Sequence, residues 1–109
     1  MADGVEVSAV RAASRARVRE LGARLQGDAV REALDADSSW HLHGVGVDSG
    51  EEGLSVLRAG SVIAYEPGLR IGSDAFYLED MILITPTGHE VLSSGLPYDA
   101  DEIAAMMRR

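Results

Sequence analysis

The stretch from Ala75 to Thr85 reads AFYLEDMILIT, a run rich in β-forming residues with an acidic pair at its middle. Strand alternation puts Phe76, Leu78, Ile82 and Ile84 on one face and Tyr77, Met81 and Leu83 on the other, with Glu79 among the second set. A strand with bulk on both faces expects cover on both. Burial of an unpaired carboxylate costs several kcal/mol, so a buried Glu79 is protonated, paired with an arginine or bound to a metal. An exposed sheet edge is the remaining alternative.

The rest of the chain supplies elements to build around that strand. Apolar residues at Val10, Ala13, Val18, Leu21 and Leu25 recur at near-helical steps from Ser8, with arginines between them, and predict an amphipathic helix to about Gln26. Gly27 is a stop and Asp28 an N-cap for a second short helix with Val30, Ala33 and Leu34 as its buried stripe, ended by the cluster from Asp35 to Ser39. Trp40 to Gly53 reads as a short strand running into a glycine- and acid-rich mobile loop. Ser61 to Tyr65 is a strand closed by Pro67-Gly68, Pro86-Thr87-Gly88 a turn, and Glu90 to Leu92 a short return strand. Asp99 or Asp101 caps a last helix that holds Ile103, Met106 and Met107. The order predicts an α+β domain with helices on one face of an antiparallel sheet. With 109 residues the chain fits one domain, residues 1–109, burying roughly 60 to 70% of its extended surface.

Charge and composition exclude several partners. Asp and Glu number 18 against 10 basic residues, for a formal charge of -8, which repels polyanions such as nucleic acid and attracts divalent cations. All basic residues are arginine, and the group Arg11, Arg15, Arg17, Arg19, Arg24 and Arg31 fits a solvated helix face. Cysteine is absent, which excludes disulfides and thiolate chemistry. No apolar stretch approaches the roughly 18 residues needed to cross a bilayer, and no signal-type start is present, so no membrane partner and a cytoplasmic location are expected.

Four side chains are the candidates for chemistry. Glu66 precedes Pro67-Gly68 and is, by itself, an ordinary loop carboxylate. If its strand neighbours that of Glu79, the two carboxylates converge and require a proton or cation between them. His41 and His43 alternate on a strand and share a face, where they are either ligands for zinc, manganese or iron(II) or ordinary surface imidazoles. His89 lies in a polar turn and is expected at the surface. The glycine-rich GVGVDSG lacks the lysine and Ser/Thr of a phosphate-binding loop, and no nucleophile elbow is present.

Taken in order, HGVG at His43 to Gly46, YEPG at Tyr65 to Gly68 and LED at Leu78 to Asp80 resemble the C-terminal motifs of the pita-bread metallopeptidases, the family of aminopeptidase P and prolidase. The resemblance spans about Trp40 to Arg109 and includes the strand texture of AGSVIAYEPG and the closing LPYDADEIAAMM. It implies the C-terminal half of a pita-bread fold, made of two N-terminal helices, a curved antiparallel sheet and a C-terminal helix. It further implies His43, Glu66 and Glu79 as ligands of a divalent metal (Mn2+, Co2+ or Zn2+), and hydrolysis of the N-terminal bond of a peptide substrate, often before proline. His41 is then the candidate catalytic residue, standing in for a second family histidine that is expected after the HxxG motif, where Asp48, Ser49 and Gly50 stand instead.

Other departures are clear. The family's two aspartate ligands, expected upstream, have no counterpart, since only Asp3, Glu6 and Glu20 precede Asp28. The loop between Glu66 and Glu79 is short, and Tyr77 stands where many members have arginine. The expected partner is therefore a second copy of the chain or a separate N-terminal half. A non-catalytic remnant kept for protein interaction, or a metal-free creatinase-like hydrolase of small molecules, are the alternatives.

Overall fold

A computed structural model describes residues 1–22, 24, 27–35, 40–46 and 53–108. The expected helix end at Gln26, the breaker at 36–39 and the acid-rich loop at 47–52 lie outside the described residues, as do the side chains of Val30 and Leu34.

Helix α1 spans Val7–Gly22 and α2 Asp28–Asp35; strands β1 (Trp40–Gly44), β2 (Val62–Ile71), β3 (Asp74–Tyr77), β4 (Asp80–Ile84) and β5 (His89–Val91) follow, and α3 (Ala100–Met107) closes the order. All ladders are antiparallel, in the order β1-β2-β4-β5 with β3 also paired to β2. The α+β expectation and the turn at Pro86-Thr87-Gly88 correspond to this arrangement, the turn closed by the Thr85 amide donating to the Gly88 carbonyl at 3.0 Å. Asp99 caps α3, accepting from the amides of Asp101 at 2.9 Å and Glu102 at 3.2 Å.

The strand expected to close at Pro67-Gly68 instead runs through both residues to Ile71. The strand expected to be unbroken from Ala75 to Thr85 is divided at Leu78–Glu79. The first follows from the pairing of β2 with β3, and the second has a local cause. The Leu78 amide donates to the Pro67 carbonyl at 3.2 Å, and a facing antiparallel pair of this kind normally exchanges a second bond in return. Proline has no N–H to give, so the Leu78 carbonyl loses its ladder donor and the partner strand opens there. The register does not slip across the gap: Tyr65 faces Asp80 on one side of it and Gly68 faces Tyr77 on the other. Glu66 therefore faces Glu79. The β2–β3 hairpin turns through Gly72-Ser73, where Gly72 has φ +61°, the left-handed region that such turns favour glycine for.

The core occupies one face of the sheet. Val7 and Val10 of α1 pack with Leu42, Leu57, Ile63, Ile82 and Ile84, all buried, and Met1, Val5, Leu54 and half-buried Tyr65 extend the cluster. The Tyr65 hydroxyl donates to Ser14 Oγ at 2.7 Å and ties α1 to that face. The N-terminal segment contributes more than helix: Glu6 bridges Val56, and the Leu57 and Gly4 amides bond to the Val5 and Leu57 carbonyls, each at 2.9 Å. The helix stripe is less buried than expected: Ala13 and Leu21 are exposed and Val18 is only partly buried. Ile103, Met106 and Met107 of α3 are exposed too, and Phe76, Tyr77 and Leu78 stand 59%, 57% and 51% open. The cover expected on both faces of the Ala75 to Thr85 strand is thus present, among the described residues, only over Ile82 and Ile84.

Candidate metal centre

The second face of the sheet carries the chemistry. Leu42 and Ile63 point into the core, so the residues between and beside them in the pleat point the other way. In the β1–β2 register His41 faces Glu66 and His43 faces Ala64, and Glu66 in turn faces Glu79 across the opened ladder. Alternation adds Tyr77, two residues before Glu79. Five polar side chains from β1, β2 and the β3–β4 break thus share one face.

Three of them converge. One donor atom each from His43, Glu66 and Glu79 lies within 4.8 Å of the other two. Glu66 is the deepest, 8% exposed on a strand paired on both sides, while His43 is half-buried and Glu79 is exposed. The burial expected for Glu79 does not occur: it sits in the break between β3 and β4, outside the ladders, and is exposed. Glu79 nevertheless reaches Glu66.

The hydrogen bonds set the electrostatics. His43 Nε2 lies 2.8 Å from Glu66 Oε1 and His43 Nδ1 lies 2.9 Å from the Gly44 carbonyl oxygen. Both partners are acceptors when Glu66 is ionised, and both ring nitrogens can then donate only if the ring is protonated. With Nδ1–H kept on the Gly44 carbonyl, Nε2 is the nitrogen left for a cation, the arrangement usual for a ligating histidine. The Glu66 carboxyl is held below its ordinary pKa, foremost by a hydrogen bond from Tyr77 and, against the opposing effect of burial, by the hydrogen bond and charge of His43 and the charge of His41. An ionised Glu66 beside a second carboxylate, with one imidazole nitrogen, is a hard donor set suited to a divalent cation.

His41 lies on the same face but is exposed, and acts on Glu66 through its charge. With Arg70, Phe76 and Tyr77 it lines a cleft of about 320 Å³ next to the carboxylates. His89 is at the surface beside the Met1 backbone, 3.1 Å from its carbonyl oxygen. The acids upstream are used elsewhere: Asp3 accepts from the Ala59 amide at 2.9 Å, and Glu20 pairs with Arg17 at 2.7 Å. Tyr77, which the sequence marks only as standing where many members of the resembled family have arginine, is the further neighbour of Glu66 that the register brings in.

No protein-family model matches the chain. Over 65 residues it is 38% identical to Xaa-Pro aminopeptidase 2 of Streptomyces coelicolor, covering 50% of this chain and 14% of the relative. Over 76 residues it is 37% identical to the Xaa-Pro aminopeptidase of Escherichia coli, covering 61% of this chain and 17% of the relative. Among solved structures, a Bacillus anthracis protein assigned as an aminopeptidase P superposes with a TM-score of 0.67 at 28% identity, over 99% of this chain and 27% of its own. Aminopeptidase P of E. coli with the inhibitor Pro-Leu superposes with a TM-score of 0.63 at 25% identity, over 98% of this chain and 30% of its own. The chain is pita-bread metallopeptidase-like. It corresponds to the C-terminal half of that fold, and it spans between 14% and 17% of the length of these curated relatives. The structural likeness covers nearly the whole chain, so α1 and α2, which the motif resemblance leaves out, belong to the shared frame. A zinc-substituted E. coli aminopeptidase P with product, 24% identical with a TM-score of 0.62, shows the same fold.

Proposed function

We propose that this chain supplies three ligands, His43, Glu66 and Glu79, to a divalent-metal site for peptide-bond hydrolysis of the Xaa-Pro aminopeptidase type. The observation that carries the reading is the convergence of one donor atom from each of the three within 4.8 Å on the open face of the sheet. A divalent cation bound there lowers the pKa of water and polarises a carbonyl. The chain's own residues do the rest. Glu66 and Glu79 hold the negative charge, Gly44 fixes the His43 ring through Nδ1, and His41 stands beside the cleft where it orients a bound peptide. The Xaa-Pro aminopeptidases and aminopeptidase P structures it matches support a peptide substrate and a divalent ion such as Mn2+, Co2+ or Zn2+.

In this reading the site is shared. His43, Glu66 and Glu79 make one part, and the further donors come from outside these 109 residues, from a second copy of the chain or from a separate N-terminal half. The exposed Phe76, Tyr77 and Leu78 beside the site support such a neighbour. No helix among the described residues is long and apolar enough to cross a membrane. Elemental analysis of the purified protein for manganese, zinc, cobalt and iron, together with a peptide-release assay on Xaa-Pro peptides, tests the proposal. Metal in the wild type that is missing from Glu66→Gln is expected, with little or no peptide release by the chain alone even with added manganese. Metal-free protein under loading conditions overturns the metal site, and a monomer that turns over such peptides overturns the shared one.

A further inference from the structure

Tyr77 stands opposite Gly68 in the β2–β3 ladder, and Glu66 is the next residue of β2 on the same face. Gly68 has no side chain to occupy the space across from the ring, and Tyr77 and Glu66 lie on one face two register positions apart, where the phenol hydrogen-bonds to the carboxylate. Glu79 follows Tyr77 by two residues on the same face. The phenol borders the Glu66 carboxylate, which in turn meets that of Glu79, while Tyr77 stays 57% exposed.

The two donors on Glu66 differ in kind. His43 gives up its place on the carboxylate when its Nε2 becomes a ligand, whereas the Tyr77 hydroxyl has no such alternative and remains bonded. A tyrosine hydroxyl is neutral near pH 7, with an ordinary pKa of about 10. It fixes one edge of the carboxylate without adding positive charge next to a cation, which an arginine at this position would do. In a chain with few carboxylates at the site, that difference favours cation binding.

We propose that Tyr77 is a positioning residue that holds Glu66 in the orientation needed for metal binding; this rests on the metal-site reading above. Titration calorimetry of the wild-type chain and of Tyr77→Phe with Mn2+ and with Zn2+ tests it, alongside near-ultraviolet difference absorption of tyrosine. Tyr77→Phe is expected to bind each ion about 10- to 100-fold more weakly, the usual effect of removing a partner that orients a ligand. Tyr77→Gln, which restores a neutral donor, is expected to recover part of that affinity. Added Zn2+ should perturb the tyrosine absorption of the wild type and leave that of Tyr77→Phe unchanged. Identical far-ultraviolet circular dichroism of the wild type and Tyr77→Phe in chelator at neutral pH, alongside the lost affinity, separates this role from a purely structural one. If the wild type binds and Tyr77→Phe binds equally well, the role of Tyr77 is overturned and the metal site stands. If the wild type binds neither ion, the metal site itself falls.

Discussion

The two faces of the sheet are built from alternate residues of the same strands and serve opposite purposes. Leu42, Ile63, Ile82 and Ile84 point to α1 and are closed over by Val7 and Val10. His41, His43, Glu66, Tyr77 and Glu79 occupy the other face, where Glu66 is buried, His43 is partly buried and the other three are exposed. Burial stabilises the first face, and the second gathers two carboxylates and two histidines, the group proposed above to hold a cation. A pleat of period two therefore separates stability from chemistry, and substitutions one residue apart should have different consequences.

The largest effect is expected on the covered face. Ile63 is fully buried at the centre of the cluster, and Ile63→Ala should lower stability by about 2 to 5 kcal/mol, read as a shift in the denaturation midpoint. A shift well below that range would show that α1 does not seal this face. Next in size is a change on the open face that leaves the fold intact. Glu79→Gln alters an exposed side chain outside the ladders, so its stability should change by less than about 0.5 kcal/mol while metal binding is lost or much reduced. A large loss of stability with unchanged metal binding would reverse the division between the faces.

The sequence makes part of this division visible. The three motifs mark His43, Glu66 and Glu79, and alternation places both histidines on one face. The cap at Asp99 is legible because a short acidic side chain before an apolar run is the usual start of a helix. The division of the Ala75 to Thr85 strand is not legible locally, since its cause is the missing N–H of Pro67 on a neighbouring strand. Glu79, read as buried, sits in that break and is exposed. The Glu6–Val56 bridge joins distant segments that carry no periodic pattern, and the hairpin at Gly72-Ser73 was marked only by a glycine-serine pair. Tyr77 reads as an apolar strand residue until the register sets it beside Glu66.

A smaller effect concerns acid. The fold holds Glu66 below its ordinary value of 4.5, chiefly through Tyr77, so it favours the ionised form. The resulting stabilisation is fully present above that value and is lost as pH falls through the lowered folded pKa. Acid unfolding of metal-free protein should therefore show a destabilisation below pH 4.5 that is reduced in Tyr77→Phe, measured by thermal melts across the acid range. Identical acid profiles for the two proteins would remove Tyr77 as the main cause of the lowered Glu66 value.

Crystals of the protein soaked in Mn2+ or Zn2+ and measured at the metal's absorption edge test the central claim most directly. The account predicts one anomalous peak on the open face, with His43 Nε2 and oxygens of Glu66 and Glu79 each within about 2.0 to 2.3 Å of it. A peak elsewhere, with His43 still hydrogen-bonded to Glu66, would contradict it.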